Sequence, residues 1–311
     1  MIRIAKYEKT RDTFKRILLF TATFVTIWLT GYYLSEGYYY VLGKMINTTY
    51  STHVLMLWST LYTILFLAAL GAHEYGHIIA SRRYGVPISG PYFIPAPPAQ
   101  LGFIGTLGSI ISMKSLPPSR RSLLLIGLMG PLLGFLSGLI VSVFGVLLSI
   151  PIHYSEAVEL IEAGEAGLIP FMPMALAILI SLRAIGEEYT LLLHPMAFVG
   201  FVIFIVTFFN LMPIGQLDGG HVVRAFTSHK LHNLIGYIVV TILMLAGLAL
   251  FQIGGQIYLF MGIVLSIFKL IFGSKPHPGP ANMFSKISKQ DYALLVIYVI
   301  LIILCVPIPM L

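Results

Sequence analysis

Apolar runs of about twenty residues recur along this chain, and nothing constrains its fold more. A bilayer's hydrocarbon core is about 30 Å thick, so roughly 20 apolar residues in a helix are needed to cross it. Such runs fall at 17–34, 54–80, 122–150, 194–212, 234–252, 255–272 and 291–310. Only 10% of the 311 residues are charged, whereas a soluble domain carries roughly 25%. That excludes an ordinary soluble fold. The expected class is an all-α polytopic membrane protein with about seven transmembrane helices.

The net charge of +7 does not point to nucleic acid, because the basic residues stand in short clusters between the apolar runs. Six of them precede Ile17. With that end in the cytosol, 17 of the 19 Lys and Arg fall in cytosolic loops, and only Lys44 and Arg183 lie outside. Glu156, Glu159, Glu162 and Glu165 fall in an outer loop and read as a solvated face. The expected location is a cell membrane, multi-pass, with the N-terminus cytosolic and the C-terminus outside. The first run is too long for the apolar region of a signal peptide and no small-residue cleavage site follows, so it reads as an uncleaved span. Cys305 has no cysteine to pair with.

Two stretches break the pattern. Residues 168–182 are apolar but short and begin among prolines. A span there would reverse everything downstream, so this stretch is expected to be interfacial, on the outer side. Residues 86–112 are apolar yet interrupted by Pro87, Pro91, Pro95, Pro97 and Pro98 and by several glycines. No helix survives that, and non-helical backbone at membrane depth must be buried in protein or face a wet cavity. The expectation is a re-entrant loop after the second span, with a short β-hairpin through Leu101–Met113. No soluble domain or internal repeat stands out. The chain reads as one membrane-embedded domain, 1–311, with a core at about 54–232, an N-terminal span at 17–34 and C-terminal spans over 234–310.

The second run contains His73-Glu74-Tyr75-Gly76-His77. Histidines four apart project from one face of a helix and can hold one zinc ion, with the intervening glutamate beside them. Zinc lowers the pKa of a water it holds to about 7, and Glu74 can take the proton. Ionisable groups inside a membrane helix are costly, and their presence points to function. A third ligand is needed, and Glu74 is the only acid between Glu36 and Glu156. The candidate lies far downstream, in Asn210-Leu211-Met212-Pro213-Ile214-Gly215-Gln216-Leu217-Asp218-Gly219-Gly220-His221. Pro213 ends or kinks the fourth run, and the glycines let the backbone bend, so Asp218 reaches the cytosolic edge free of helical constraint. His73 lies nine residues before Arg82, roughly 13 Å along a helix, which sets it at a similar depth.

These two motifs together resemble the site-2 protease family of intramembrane metalloproteases. The stretch Pro91-Tyr92-Phe93-Ile94-Pro95, the glycines that follow and Gly130-Pro131 are similar to its archaeal and plastid-type members. The resemblance implies one zinc ion per chain on His73, His77 and Asp218, with Glu74 as general base. It matches Asn210 to an asparagine that holds substrate or stabilises the oxyanion. The implied reaction is hydrolysis of transmembrane protein substrates within the bilayer, near the cytosolic side. No PDZ or CBS domain is recognisable.

Other features carry less. Gly130, Gly134 and Gly138 form a small-residue groove for close helix packing. His194 falls on the wrong side for the metal, and His221 reads as supporting or cytosolic. A catalytically silent adaptor is a rival reading, but Glu74 is present. A zinc or proton transporter is another, but repeated halves are not visible. No motif encodes substrate identity or oligomeric state.

Overall fold

A computed structural model describes residues 2–272 and 277–310. The side chains of Arg3, Lys6, Lys9 and Arg11, together with Lys275 and both terminal residues, lie outside that description; the sidedness expected from them lies there too.

Helices stand at all seven expected positions: α1 (Ile2–Met45), α2 (Thr52–Arg83), α3 (Arg120–Leu148), α6 (Pro195–Asn210), α8 (His229–Ala249), α9 (Gln256–Phe272) and α10 (Lys289–Cys305). Shorter helices are α4 (Tyr154–Glu162), α5 (Met174–Leu182) and α7 (Asp218–Phe226). Four helices, α1, α2, α3 and α8, are long and apolar enough to cross a membrane. The 16 residues of α6 and the 17 of α9 and α10 stand at the short end of the roughly 17–25 residues of a crossing helix. Helix boundaries follow local chemistry. Ser119 caps α3 in a reciprocal capping box with Ser122, and Ser288 caps α10 with Asp291. Pro195 occupies the first turn of α6, where its missing N–H costs nothing. The outer faces of α3 and α8 are apolar, with Ile140, Phe144, Leu147, Ile242, Leu245 and Leu248 all exposed. Helices apolar all round suit a hydrocarbon surround.

The structure is mostly helical, as expected, and adds three two-stranded sheets, of which the hairpin after α2 was expected and the other two were not. The first is a hairpin wider than expected: β1 (Ile88–Pro95) pairs antiparallel with β2 (Thr106–Met113), and the turn occupies 96–105. It leans on α1: Tyr92 donates a hydrogen bond to Asp12, Thr26 Oγ1 donates to the Gly105 carbonyl, and the Ala99 amide donates to Thr30 Oγ1 at 3.1 Å. The other sheets close the opposite end of the bundle. Here β3 (Ile150–His153) pairs with β5 (Tyr189–Leu192), joining the end of α3 to the start of α6. Likewise β4 (Phe171–Pro173) pairs with β6 (Pro307–Pro309), just beyond α10. The stretch 168–182 therefore forms one strand and the nine-residue α5, too short to cross a bilayer. The acidic run is not wholly solvated, because Glu165 is paired with Lys44 at the end of α1.

At the core, α3 packs against α2, α6 and α7. Its glycines permit this, and they divide between partners. A Cβ on Gly134 would meet the His73 ring on α2, whereas one on Gly138 would meet Ile203 and Phe204 on α6. The groove thus serves two helices.

Candidate metal centre

Three expected residues converge between α2 and the start of α7. His73 Nε2 lies 3.2 Å from Asp218 Oδ2, and His77 Nε2 lies 3.3 Å from Asp218 Oδ1. The two imidazole Nε2 atoms are 3.2 Å apart. His73, His77 and Asp218 are the one group of this kind that could hold a metal ion among the described residues. A tetrahedral zinc ion with ligands at about 2.0–2.1 Å places neighbouring donors roughly 3.3 Å apart. The separation of the two rings, and of each ring from the Asp218 oxygen facing it, matches that spacing, and one ligand atom from each residue lies within 4.8 Å of the other two.

The tautomer fits as well. His77 Nδ1 lies 2.8 Å from the Ile126 carbonyl of α3 and must donate its proton there. That leaves the Nε2 lone pair facing Asp218 and His73, as a metal ligand requires. Close approach of α3 makes this contact possible. A Cβ on Gly130 would sit 2.1 Å from His77 Nε2, and Gly76 of α2 lies against the Met129 carbonyl in the same way. Replacing Gly130 by alanine should therefore displace the His77 ring and weaken zinc retention by the 10–100-fold typical of a lost supporting contact. Gly138→Ala, whose nearest neighbours are Ile203 and Phe204 of α6, should lower stability and leave zinc affinity unchanged. Equilibrium zinc competition on both variants checks this, and equal affinities would remove Gly130 from the site's support.

Asp218 is placed differently from the expectation of a freely bending loop. It opens α7, and the turn before it is made at Gly215, whose φ of +54° favours glycine. Gly219 and Gly220 are helical, and they allow tight packing: a Cβ on Gly219 would lie 1.9 Å from the Leu211 carbonyl. Tyr298 of α10 donates to that same carbonyl at 2.7 Å, steadying the end of α6. Glu74 is buried in α2 between the two histidines, and Asn210 is half-buried at the last position of α6. Neither side chain is tied to the triangle by a hydrogen bond or ion pair among the described residues. His194 lies away from it, at the start of α6, enclosed by Tyr38, Tyr39 and Trp58.

Two features escaped the sequence reading. The Ile126 carbonyl carries no sequence signal, because any residue has one. Gly127 also presses on the site, since a Cβ there would lie 2.6 Å from the Asp218 carbonyl oxygen and 2.7 Å from His221 Cβ. Its position three residues before Gly130, on the same helix face, was the available signal.

Fold and centre together define a protein of long apolar helices, four of them able to cross a membrane, carrying a His-His-Asp group that could hold a metal ion. The sequence profile of Peptidase family M50 matches residues 61–253, more than half of the chain, which therefore belongs to that family. It is 28% identical over 181 residues to the probable zinc metalloprotease EGY2, chloroplastic, of Oryza sativa subsp. indica, covering 58% of this chain and 32% of that one. It is 34% identical over 170 residues to the probable zinc metalloprotease EGY1, chloroplastic, of Arabidopsis thaliana, covering 53% and 29%. A solved structure, the site-2 protease from Methanocaldococcus jannaschii, is 16% identical at a TM-score of 0.39, over 86% of this chain and 92% of that one. The chain spans about a third of the length of the curated relatives it matches. The resemblance to site-2 proteases of plastid and archaeal type holds at the family level.

Proposed function

We propose that this chain hydrolyses peptide bonds of transmembrane proteins within the bilayer, as a single membrane-embedded protease domain. His73, His77 and Asp218 bind one zinc ion, Glu74 is the general base, and Asn210 holds the substrate backbone or the developing oxyanion. The observation that supports this best is the convergence of two buried imidazoles and the partly buried Asp218 carboxylate at 3.2–3.3 Å. Zinc held there supplies Lewis-acid activation of water. Glu74, on the same helix turn, accepts the proton that water releases and passes it to the leaving amine. A zinc ion with neutral imidazoles and one carboxylate would carry one net positive charge, offset by the Glu74 carboxylate until that group accepts its proton.

A helical peptide bond is shielded and already hydrogen-bonded, so the substrate must be extended at the point of cleavage. The far edge of β2 supports that reading. The sheet has two strands, β1 lies against α1, and Leu107 and Ile110 of β2 are exposed. An extended segment could add there as a third strand and satisfy its backbone at membrane depth. In this reading the hairpin is re-entrant, all seven longer helices span the membrane, and the helix ends near Arg83, Arg120 and Asp218 face the cytosol.

Proteoliposomes holding the zinc-loaded protein and a transmembrane peptide test the activity by mass spectrometry of products. Intact peptide after prolonged incubation with the metallated protein would overturn the reading. Sidedness has its own measurement in a Cys305→Ser background. Cysteines at Ser115 and Lys230, both exposed, should label with an impermeant reagent from the cytosolic side. A cysteine at Glu187 should label from the opposite side. Labelling of Lys230 and Glu187 positions from one side would break the assigned topology.

A further inference from the structure

His221 lies one turn beyond Asp218 on α7 and is buried, with Asp218, His77 and His232 as its electrostatic neighbours. Residues three apart share a helix face, and the Asp218 backbone carbonyl and the His221 Cβ both lie against Gly127 of α3. His277, from the segment between α9 and α10, is also buried, and its Nε2 lies 2.7 Å from His221 Nδ1. The backbone amide of Gly279 donates to His277 Nδ1 at 3.0 Å. Burial pushes His277 down to about 2, so the ring is neutral and carries a single N–H. With Nδ1 occupied as an acceptor, that proton must be on Nε2, and it is donated to His221 Nδ1. His221 then accepts at Nδ1, and a neutral ring carries its own proton on Nε2.

Each step of the chain follows from the one before: Gly279 fixes His277, and His277 fixes His221. A second metal site among His221, His232 and His277 is disfavoured by the same chain, since the His277 Nε2 lone pair is absent in this tautomer. The anchor is well built. Arg224 Nε donates to the His277 carbonyl at 3.3 Å, and its guanidinium also reaches the Thr227 carbonyl at 2.6 Å. No acceptor in the described structure is bonded to His221 Nε2.

We propose that His221 is a further catalytic hydrogen-bond donor of this centre, and that His277 is the positioning residue that presents its Nε2–H. The proposal rests on the hydrolytic reading above. When water adds to the peptide carbonyl, its oxygen forms the new C–O bond and its proton passes to Glu74. The π pair of the C=O bond moves to the carbonyl oxygen, and the His221 Nε2–H bonds that oxygen as its charge develops. His221 takes no proton and loses none in this step.

The test has two arms. Nitrogen-15 histidine spectra of the zinc-free protein in detergent, assigned with His221→Leu, report the tautomer without any activity. Nε2-protonated His221 in the wild type, and a mixture of tautomers in His277→Leu, is the expected result. A proton on Nδ1 in the wild type overturns the proposal whether or not the protein cleaves anything. The second arm measures turnover and zinc content together. His221→Leu should lower kcat by about 10²–10³-fold with little change in KM, as for loss of one oxyanion donor, while zinc stays bound. His277→Leu should lower kcat by a smaller factor, and His277→Gln should restore most of it, because an amide N–H can reach His221 Nδ1. In a His221→Leu background, His277→Leu should cost nothing further. Multiplying effects of the two substitutions, or equal losses in His277→Leu and His277→Gln, would make His277 merely structural and defeat the assignment. A wild type that binds zinc but cleaves no peptide would instead defeat the hydrolytic reading.

Discussion

Glu74→Gln is expected to keep its zinc and lose cleavage by at least the 10²–10⁴-fold typical of a missing general base. The side chain is buried in α2, flanked by His73 and His77. Glutamine has nearly the same volume and lets the helix pack as before, so the change isolates proton acceptance from structure. Nothing in the described structure ties up the Glu74 carboxyl, which leaves its oxygens for water and substrate. The measurement pairs zinc content with turnover of a transmembrane peptide in proteoliposomes. Near-wild-type turnover by the metallated variant would remove Glu74 from the mechanism. The same variant in cells should accumulate uncut membrane proteins and so reveal the natural substrates.

Asp218→Ala is expected to lose both zinc and activity. Each carboxylate oxygen faces a different imidazole, at 3.2 and 3.3 Å. Without that bridge only two ligands remain and water completes the shell. The drop in affinity should exceed the 10–100-fold that a supporting residue costs. Asp218 also opens α7, where a negative charge contributes about 0.3–1 kcal/mol to a helix N-terminus. Asp218→Asn separates the effects, since it retains an oxygen donor and loses the charge; it should be partly metallated and poorly active. The same triangle is open to a purely protonic reading, in which His73 and His77 share a proton with Asp218. Wild-type protein purified without chelator and holding no zinc would favour that reading, whereas one zinc per chain excludes it.

Much of this was legible in one dimension, for identifiable reasons. Apolar runs of membrane length stand out because a bilayer demands about 20 residues of a single character, and a helix satisfies its own backbone without help from other segments. All seven runs are helical, within a few residues at most ends except those of α1. His73 and His77 were paired by helical spacing alone, which fixes their separation whatever else the chain does. Asp218 was legible through elimination and depth, because acids are so scarce in this chain.

What remained hidden depends on contacts between segments far apart in sequence. The hairpin's partner strand was missed because β pairing is set by two stretches at once, here Ile88–Pro95 and Thr106–Met113. The pairing of β4 with β6 joins residues more than 130 positions apart, and no local pattern in either stretch announces it. His221 was noticed but not placed, since its orientation comes from His277, 56 residues away. By itself the sequence determined the membrane class, the helices, the histidine pair and the carboxylate able to join it, since each follows from local spacing or from scarcity. Only the tertiary structure decided that α3 approaches closely enough for Ile126 to set the His77 tautomer, and that the segment before α10 folds under α7 to hold His221. Those contacts depend on the shapes of several packed elements together, and shape is a property of the folded chain.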